Sequence, residues 1–145
     1  MLGLVSTREE YGLRLIIQLA KTYYDHQPVS LAEIGQKENL SVKYLEQIIM
    51  PFRQAHWLKS QRGRTGGYVM VKNPKKVSLK DVVKLLAAGN DFLVPCLDRH
   101  RGCPNGLERL CLSRKAWGKI QKNLEDSLVK INLAELIKQP NFRIP

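Results

Sequence analysis

The chain has 145 residues and is 43% hydrophobic, one domain's worth and enough to bury a core. No stretch approaches the roughly 20 apolar residues of a membrane helix. Arg8, Glu9 and Glu10 follow only a few apolar residues, so the start lacks a signal-peptide layout, and a cytoplasmic protein with no membrane partner is expected. The net charge of +11 is unevenly spread: from Gln47 to Lys80 there is no Asp or Glu, while Arg53, Lys59, Arg62, Arg64, Lys72, Lys75, Lys76 and Lys80 are all cationic. One-signed charge over one segment suits a polyanion, and nucleic acid is the commonest. A basic membrane-surface patch is the rival, but no strongly amphipathic basic helix covers the segment.

A first helix is predicted from about Thr7, with Glu10 completing a capping box and Tyr11, Leu15, Leu19 and Tyr23 forming an apolar stripe. It ends near Asp25, before His26, Gln27 and Pro28. Ser30 with Glu33 caps a short second helix whose Leu31, Ile34 and Leu40 face inward. After a turn at Asn39-Leu40-Ser41, Ser41 caps a third helix running to about Ala55, with Leu45, Ile48, Ile49 and Phe52 buried and Pro51 as a point of kinking. Trp57 to Gln61 and Tyr68 to Val71 read as two strands joined by the turn Arg62-Gly63-Arg64-Thr65-Gly66-Gly67. Ser78 and Asp81 cap a fourth helix with Val82, Val83, Leu85 and Leu86 as its apolar residues. Residues 89–110 are irregular and rich in Gly and Pro. A long helix follows from Cys111 to Ile131, and Asn132 with Glu135 caps a last short one before a loose tail, Pro140 to Pro145.

Helix, helix, turn, helix and basic hairpin, in that order, make a winged helix-turn-helix. The helix after the turn can enter a major groove and read base edges, while the hairpin's arginines reach phosphates or a minor groove. The bland alternatives are an ordinary helical core and a solvated loop; the conjunction favours DNA. With its apolar side committed to the core, the third helix leaves Lys43, Tyr44, Glu46 and Gln47 outside. Gln47 can read adenine, Lys43 guanine or phosphate, and Glu46 can accept from cytosine or repel wrong sequences. Ser41, Arg53, Arg62, Arg64, Gly66 and Tyr68 complete the candidate DNA-binding set. No nucleophile–base pair or phosphate loop is present, and Gly66-Gly67 lies between strands rather than before a helix, so an enzyme is not expected.

The three cysteines, Cys96, Cys103 and Cys111, share one window; an odd, clustered set argues against a disulfide framework and for metal ligation or redox chemistry. Thiolates suit iron–sulfur clusters and zinc, and His100 with the three thiols would equally make a Cys₃His zinc site. Three free thiols are the plain alternative.

Ser41-Val42-Lys43-Tyr44-Leu45-Glu46-Gln47, followed by Arg62-Gly63-Arg64-Thr65-Gly66-Gly67-Tyr68, resembles the IscR-like iron–sulfur cluster regulators, a family of winged-helix transcription regulators. The resemblance spans nearly the whole chain, including the opening helix and Ser78 to Val83. It implies a homodimer on an inverted-repeat operator in double-stranded DNA, held by the long C-terminal helix. The apolar face Trp117, Ile120, Leu124 and Leu128 would form that seam. It also implies that Cys96, Cys103 and Cys111 hold an iron–sulfur cluster, 2Fe–2S ahead of 4Fe–4S, with zinc or no metal as alternatives. The family's histidine ligand follows the third cysteine in a Cys-Leu-Thr-His run; here the run is Cys111-Leu112-Ser113-Arg114, and the cysteine spacings are longer. Other relatives take an acidic ligand from the first helix of the partner subunit, a position that aligns with Glu10; Asp98 and His100 are local rivals. The expected organisation is a mainly α protein with a winged helix-turn-helix over 1–88, a cysteine loop over 89–110, and a dimerisation helix and tail over 111–145. Operator affinity would be switched by the cluster, or, in a cluster-free or zinc-binding alternative, by thiol oxidation or a partner protein.

Overall fold

A computed structural model describes residues 5–89 and 92–138. The tail Pro140 to Pro145 lies outside the described residues. The described chain forms α1 (Thr7–Lys21), α2 (Leu31–Glu38), α3 (Val42–Gln54), β1 (Leu58–Gln61), β2 (Gly67–Met70), α4 (Leu79–Leu86), α5 (Leu112–Lys130) and α6 (Leu133–Lys138), with short 3₁₀ turns at Pro74–Lys76 and Pro95–Leu97. Among the described residues no helix is long and apolar enough to cross a membrane.

The helix starts follow serine caps. Ser30 with Glu33 and Ser78 with Asp81 form reciprocal capping boxes, and the Ser41 hydroxyl accepts the Tyr44 N–H at 3.2 Å. At α1 the box sits one residue earlier than the sequence suggests. Ser6 accepts the Glu9 N–H, and the Glu9 carboxylate accepts the Ser6 N–H at 2.6 Å. The chain holds two overlapping boxes, Ser6/Glu9 and Thr7/Glu10; the earlier one wins because it adds a helical residue at the same capping gain. Glu10 is thereby left to bond Arg14 at 2.5 Å, one turn on.

The core is built around α1, whose Leu15, Ile16, Leu19 and Ala20 are fully buried. Against them pack Ile34 of α2, Leu45, Ile48, Ile49 and Phe52 of α3, and Val82 and Leu86 of α4. Gly12 lets α4 approach: a Cβ there would lie 2.4 Å from a Leu86 methyl. Pro51 sits inside the last turn of α3 without ending the helix, because that turn is closed beyond it by the Ala55 N–H donating to the Pro51 carbonyl. Leu133 of α6 is also fully buried, and α6 packs on α1 and the Pro74–Lys76 turn. The Leu79 N–H bonds the Ile131 carbonyl and the Leu133 N–H bonds the Val77 carbonyl, so the chain beyond α5 returns to the main core.

β1 and β2 pair antiparallel, Leu58 opposite Met70 through Gln61 opposite Gly67. This wing is rooted by Val29 and Tyr68, which exchange both backbone bonds at 3.0 and 2.9 Å. Gly67 makes that root possible, since a Cβ there would sit 2.4 Å from the Val29 carbonyl oxygen and 2.5 Å from its carbon. Gly67→Ala should push the wing from the Val29–Ser30 backbone, break the Val29–Tyr68 exchange and destabilise the fold by about 1–3 kcal/mol. Urea unfolding would measure it, and the amide exchange of Val29 and Tyr68 would rise even where the remaining helices stay protected.

Candidate nucleic-acid interface and cysteine loop

The acid-free segment maps onto the end of α3, the wing, the Pro74–Lys76 turn and the start of α4. Ser41, Lys43, Glu46 and Gln47 are exposed at the beginning of α3, opposite its buried residues. Tyr44, placed outside by the sequence, is half-buried: its ring stands edge-on to Tyr11 of α1, centroids 5.9 Å apart at 89°. Its role is thereby tied to how α3 sits on α1.

Arg62 and Arg64 are exposed at the wing tip. Gly66 is half-buried in the turn, where its N–H donates to the Gly63 carbonyl at 3.0 Å and a Cβ would meet the Gln61 carbonyl at 2.5 Å. Arg53 lies 5.8 Å from the Tyr68 ring, so the α3 cation and the wing aromatic are brought together. A shallow groove between α3 and β1, lined by Met50, Arg53, Gln54, Lys59 and Ser60, joins helix and wing into one surface. Lys72 lies 4.4 Å above the Trp57 ring, an anchoring contact that sequence reading did not anticipate.

The loop between α4 and α5 holds the thiols, all three free and half-exposed. Cys96 sits in the Pro95–Leu97 turn, and Cys111 is the N-cap of α5, its Sγ accepting the Arg114 N–H at 3.4 Å. Arg114 reaches back across the loop: its Nε donates to the Cys96 carbonyl at 3.0 Å and one terminal nitrogen donates to the Glu108 carbonyl at 3.3 Å. The Glu108 carboxylate accepts the Cys103 N–H at 3.1 Å. Of the local rivals for ligation, Asp98 accepts the His100 N–H at 2.9 Å and lies 3.5 Å from Arg101, while His100 is exposed.

Glu10 is exposed on the first turn of α1 and bonds Arg14. The Arg14 guanidinium lies 5.5 Å from the Tyr11 ring and 3.9 Å from Glu38, which in turn bonds Gln18. A chain of contacts therefore runs from Glu10 through Arg14 and Tyr11 to Tyr44 on α3. Within the protomer, no group of three or more His, Cys, Asp or Glu side chains converges to hold a metal ion, among the described residues. The donor chemistry of three thiols in one loop fits a thiolate-bound group, whereas the protomer alone does not bring them to ligation geometry.

On α5, Trp117, Leu124 and Leu128 are half-buried and Ile120 is 44% exposed. No residue of this 19-residue helix is buried. It leans on α4 through Lys80, whose ammonium bonds Glu125 at 2.8 Å. That bond holds the Glu125 carboxyl below its ordinary range and raises Lys80, with Gln121 also donating to Glu125. A cleft of about 360 Å³ remains between the two helices, lined in part by Val83, Phe92, Leu124 and Leu128.

The family model described as "Rrf2: Iron-dependent Transcriptional regulator" matches residues 5–139. Protein rrf2 of Nitratidesulfovibrio vulgaris is 33% identical over 138 residues, covering 95% of this chain and 89% of that protein. The structure of CymR, the global cysteine regulator of B. subtilis, superposes with a TM-score of 0.75 at 31% identity, covering 94% of this chain and 98% of that one. The structure of T. potens IscR superposes with a TM-score of 0.73, also at 31% identity, covering 94% and 88%. With these likenesses beside a two-stranded wing on a helical core, the chain belongs to the Rrf2 family: it is a winged-helix, DNA-binding transcriptional regulator and not an enzyme.

Proposed function

We propose that this regulator works as a homodimer on an inverted-repeat operator, and that its DNA affinity is set by what the three-cysteine loop carries, foremost an iron–sulfur cluster. The observation that carries the reading is the confinement of every cysteine of the chain to one loop that is bonded into the first turn of α5. Cys96, Cys103 and Cys111 would hold the cluster, with Glu10 of the partner subunit supplying the oxygen ligand that Arg114 cannot. Such a group, when bound, supplies sensitivity to oxidants, nitric oxide and iron supply. The protein's own part is to hold the loop against α5 and to link Glu10, through Arg14 and Tyr11, to the α3 face that meets DNA.

A second reading keeps the thiols free or on zinc, with thiol oxidation as the signal. It is favoured by the lack of a converged ligand set among the described residues and by the likeness to CymR. Absorbance separates the two, since clusters are coloured and zinc and thiols are not. Anaerobically purified protein is expected to be coloured and to contain iron and sulfide; each Cys→Ala change should bleach it. Glu10→Gln should shift the visible spectrum or shorten cluster lifetime without altering folding, because the α1 capping box belongs to Ser6 and Glu9. Colourless protein with three reactive thiols would establish the second reading.

DNA binding should be dimeric and steeply salt-dependent, with a log–log slope beyond about −4. Arg62→Ala or Arg64→Ala should weaken binding to all DNA. Gln47→Ala should cost about 1–3 kcal/mol on the operator and little on random sequence, as measured by fluorescence anisotropy at several salt concentrations. Equal losses on both would make Gln47 a positioning contact.

The dimer seam is proposed along Trp117, Ile120, Leu124 and Leu128. Ile120→Glu changes an exposed residue and leaves the protomer core untouched, yet it should weaken the dimer by about 2–3 kcal/mol by burying an unpaired charge. Sedimentation showing a full dimer at micromolar concentration would remove this face from the seam.

A further inference from the structure

We propose that Arg114 is the positioning residue of the cysteine loop: its guanidinium, with Glu108 as a relay, fixes the Cys96 and Cys103 segments to the first turn of α5, which Cys111 itself caps. The contacts are complete for each segment. Cys96 is held through its carbonyl by Nε at 3.0 Å. Cys111 is held through its sulfur by the Arg114 N–H at 3.4 Å. Cys103 is held through its N–H by the Glu108 carboxylate at 3.1 Å, and the Glu108 carbonyl is itself bound by Arg114 at 3.3 Å.

Two features separate this from an incidental surface arginine. The first turn of a helix carries the positive end of its dipole, so a cation there is locally unfavourable. The first turn of α5 contains no acidic residue to offset Arg114, and no carboxylate forms a salt bridge with it among the described residues. Its bonds go instead to main-chain carbonyls of the loop, which charge-assisted donors hold more firmly than neutral ones. The two carbonyls lie far apart in sequence, and the planar guanidinium presents donors to both in a fixed geometry; a lysine ammonium has three donors, but on a flexible stem that does not fix their directions. The residue sits at the junction of the loop and α5, so a change at Cys96 or Cys103 must act on Arg114 and hence on the start of the proposed dimer helix.

The inference deepens the sensor reading but is tested apart from it. In metal-free full-length protein, Arg114→Gln and Arg114→Lys should each speed hydrogen exchange of loop amides between Cys96 and Cys111 at least tenfold. They should also speed reaction of the thiols with Ellman's reagent. Protection of α1 and α3 and the thermal midpoint should stay unchanged. After reconstitution with ferrous iron and sulfide, both variants should show an altered visible circular dichroism spectrum and a cluster lifetime shortened at least threefold. Failure of lysine to rescue would mark the planar fork, rather than charge, as the cause. Unchanged loop exchange and thiol reactivity in Arg114→Gln would overturn the positioning role, as would full rescue by lysine. Wild-type protein that takes up no iron or sulfide would sink the cluster reading alone, with the metal-free measurements still deciding Arg114.

Discussion

Burial of one face of α1 is the constraint on which the other elements depend. Leu15, Ile16, Leu19 and Ala20 have no exposed surface, and they are covered from different sides by α3, α4 and α6. Burial of Leu15, Ile16 and Leu19 is worth about 1.5–3 kcal/mol each relative to exposure, so a helix that slipped by one residue would lose several such terms at once. The fixed azimuth of α1 sets the directions of two adjacent residues, Glu10 and Tyr11. It directs Glu10 to solvent beside Arg14, and it directs Tyr11 onto Tyr44, so the pose of α3 is set against the same helix that carries the candidate partner ligand. Gly12 follows them, and a Cβ there would run into the Leu86 side chain of α4.

Local signals made most of the boundaries legible. Serine caps with an acid three residues on, the Asn132 side chain accepting from the Glu135 N–H, and alternating β-formers around a Gly-rich turn all act within a few residues, where sequence alone carries the physics. At α1 the same signal misled by one position, because Ser6/Glu9 and Thr7/Glu10 are both competent boxes and only the finished helix chooses. What stayed hidden depends on partners distant in sequence that have no side-chain signature. The Val29–Tyr68 exchange and the Arg114 bonds to the Cys96 and Glu108 carbonyls use main-chain groups that every residue possesses. Arg114 was visible as a missing histidine; its clamp was not.

The charge pattern was also legible only in part. Of the cations counted along the acid-free segment, Arg53 and Lys72 lie over the Tyr68 and Trp57 rings, and Lys80 is bonded to Glu125. Such side chains stay charged but are held by the protein, which trades freedom to seek phosphates for a fixed position. The exposed wing-tip pair, Arg62 and Arg64, has no such tether among the described contacts and therefore best matches an adaptable backbone contact. Net charge describes the long-range field around the protein, while the aromatic and carboxylate partners decide which cations serve as fixed points within it.

In the proposed switch, α5 is where stability and regulation would meet. A helix of 19 residues with none fully buried, and with Trp117, Leu124 and Leu128 half-buried, gains only part of its stability from packing within its own protomer. Its hydrogen-bonded anchors inside the protomer include Lys80 to Glu125 and the Leu93 N–H to Gln121 midway, the Arg114 contacts at its start, and the return of the chain through Ile131 to Leu79 at its end. The ion pair and the Arg114 contacts are at least partly open to solvent, so each contributes modestly and is easily exchanged for water. A helix held in this way can be re-seated at little cost by a change at its N-terminal loop, provided its apolar face is covered by something with two available fits. A second copy of the same chain meets that requirement, because each protomer then presents the identical face and the identical loop, and a shift in one is transmitted symmetrically to both. In the proposed switch, modest docking of α5 on α4 would let a small event at three thiols reach two recognition helices.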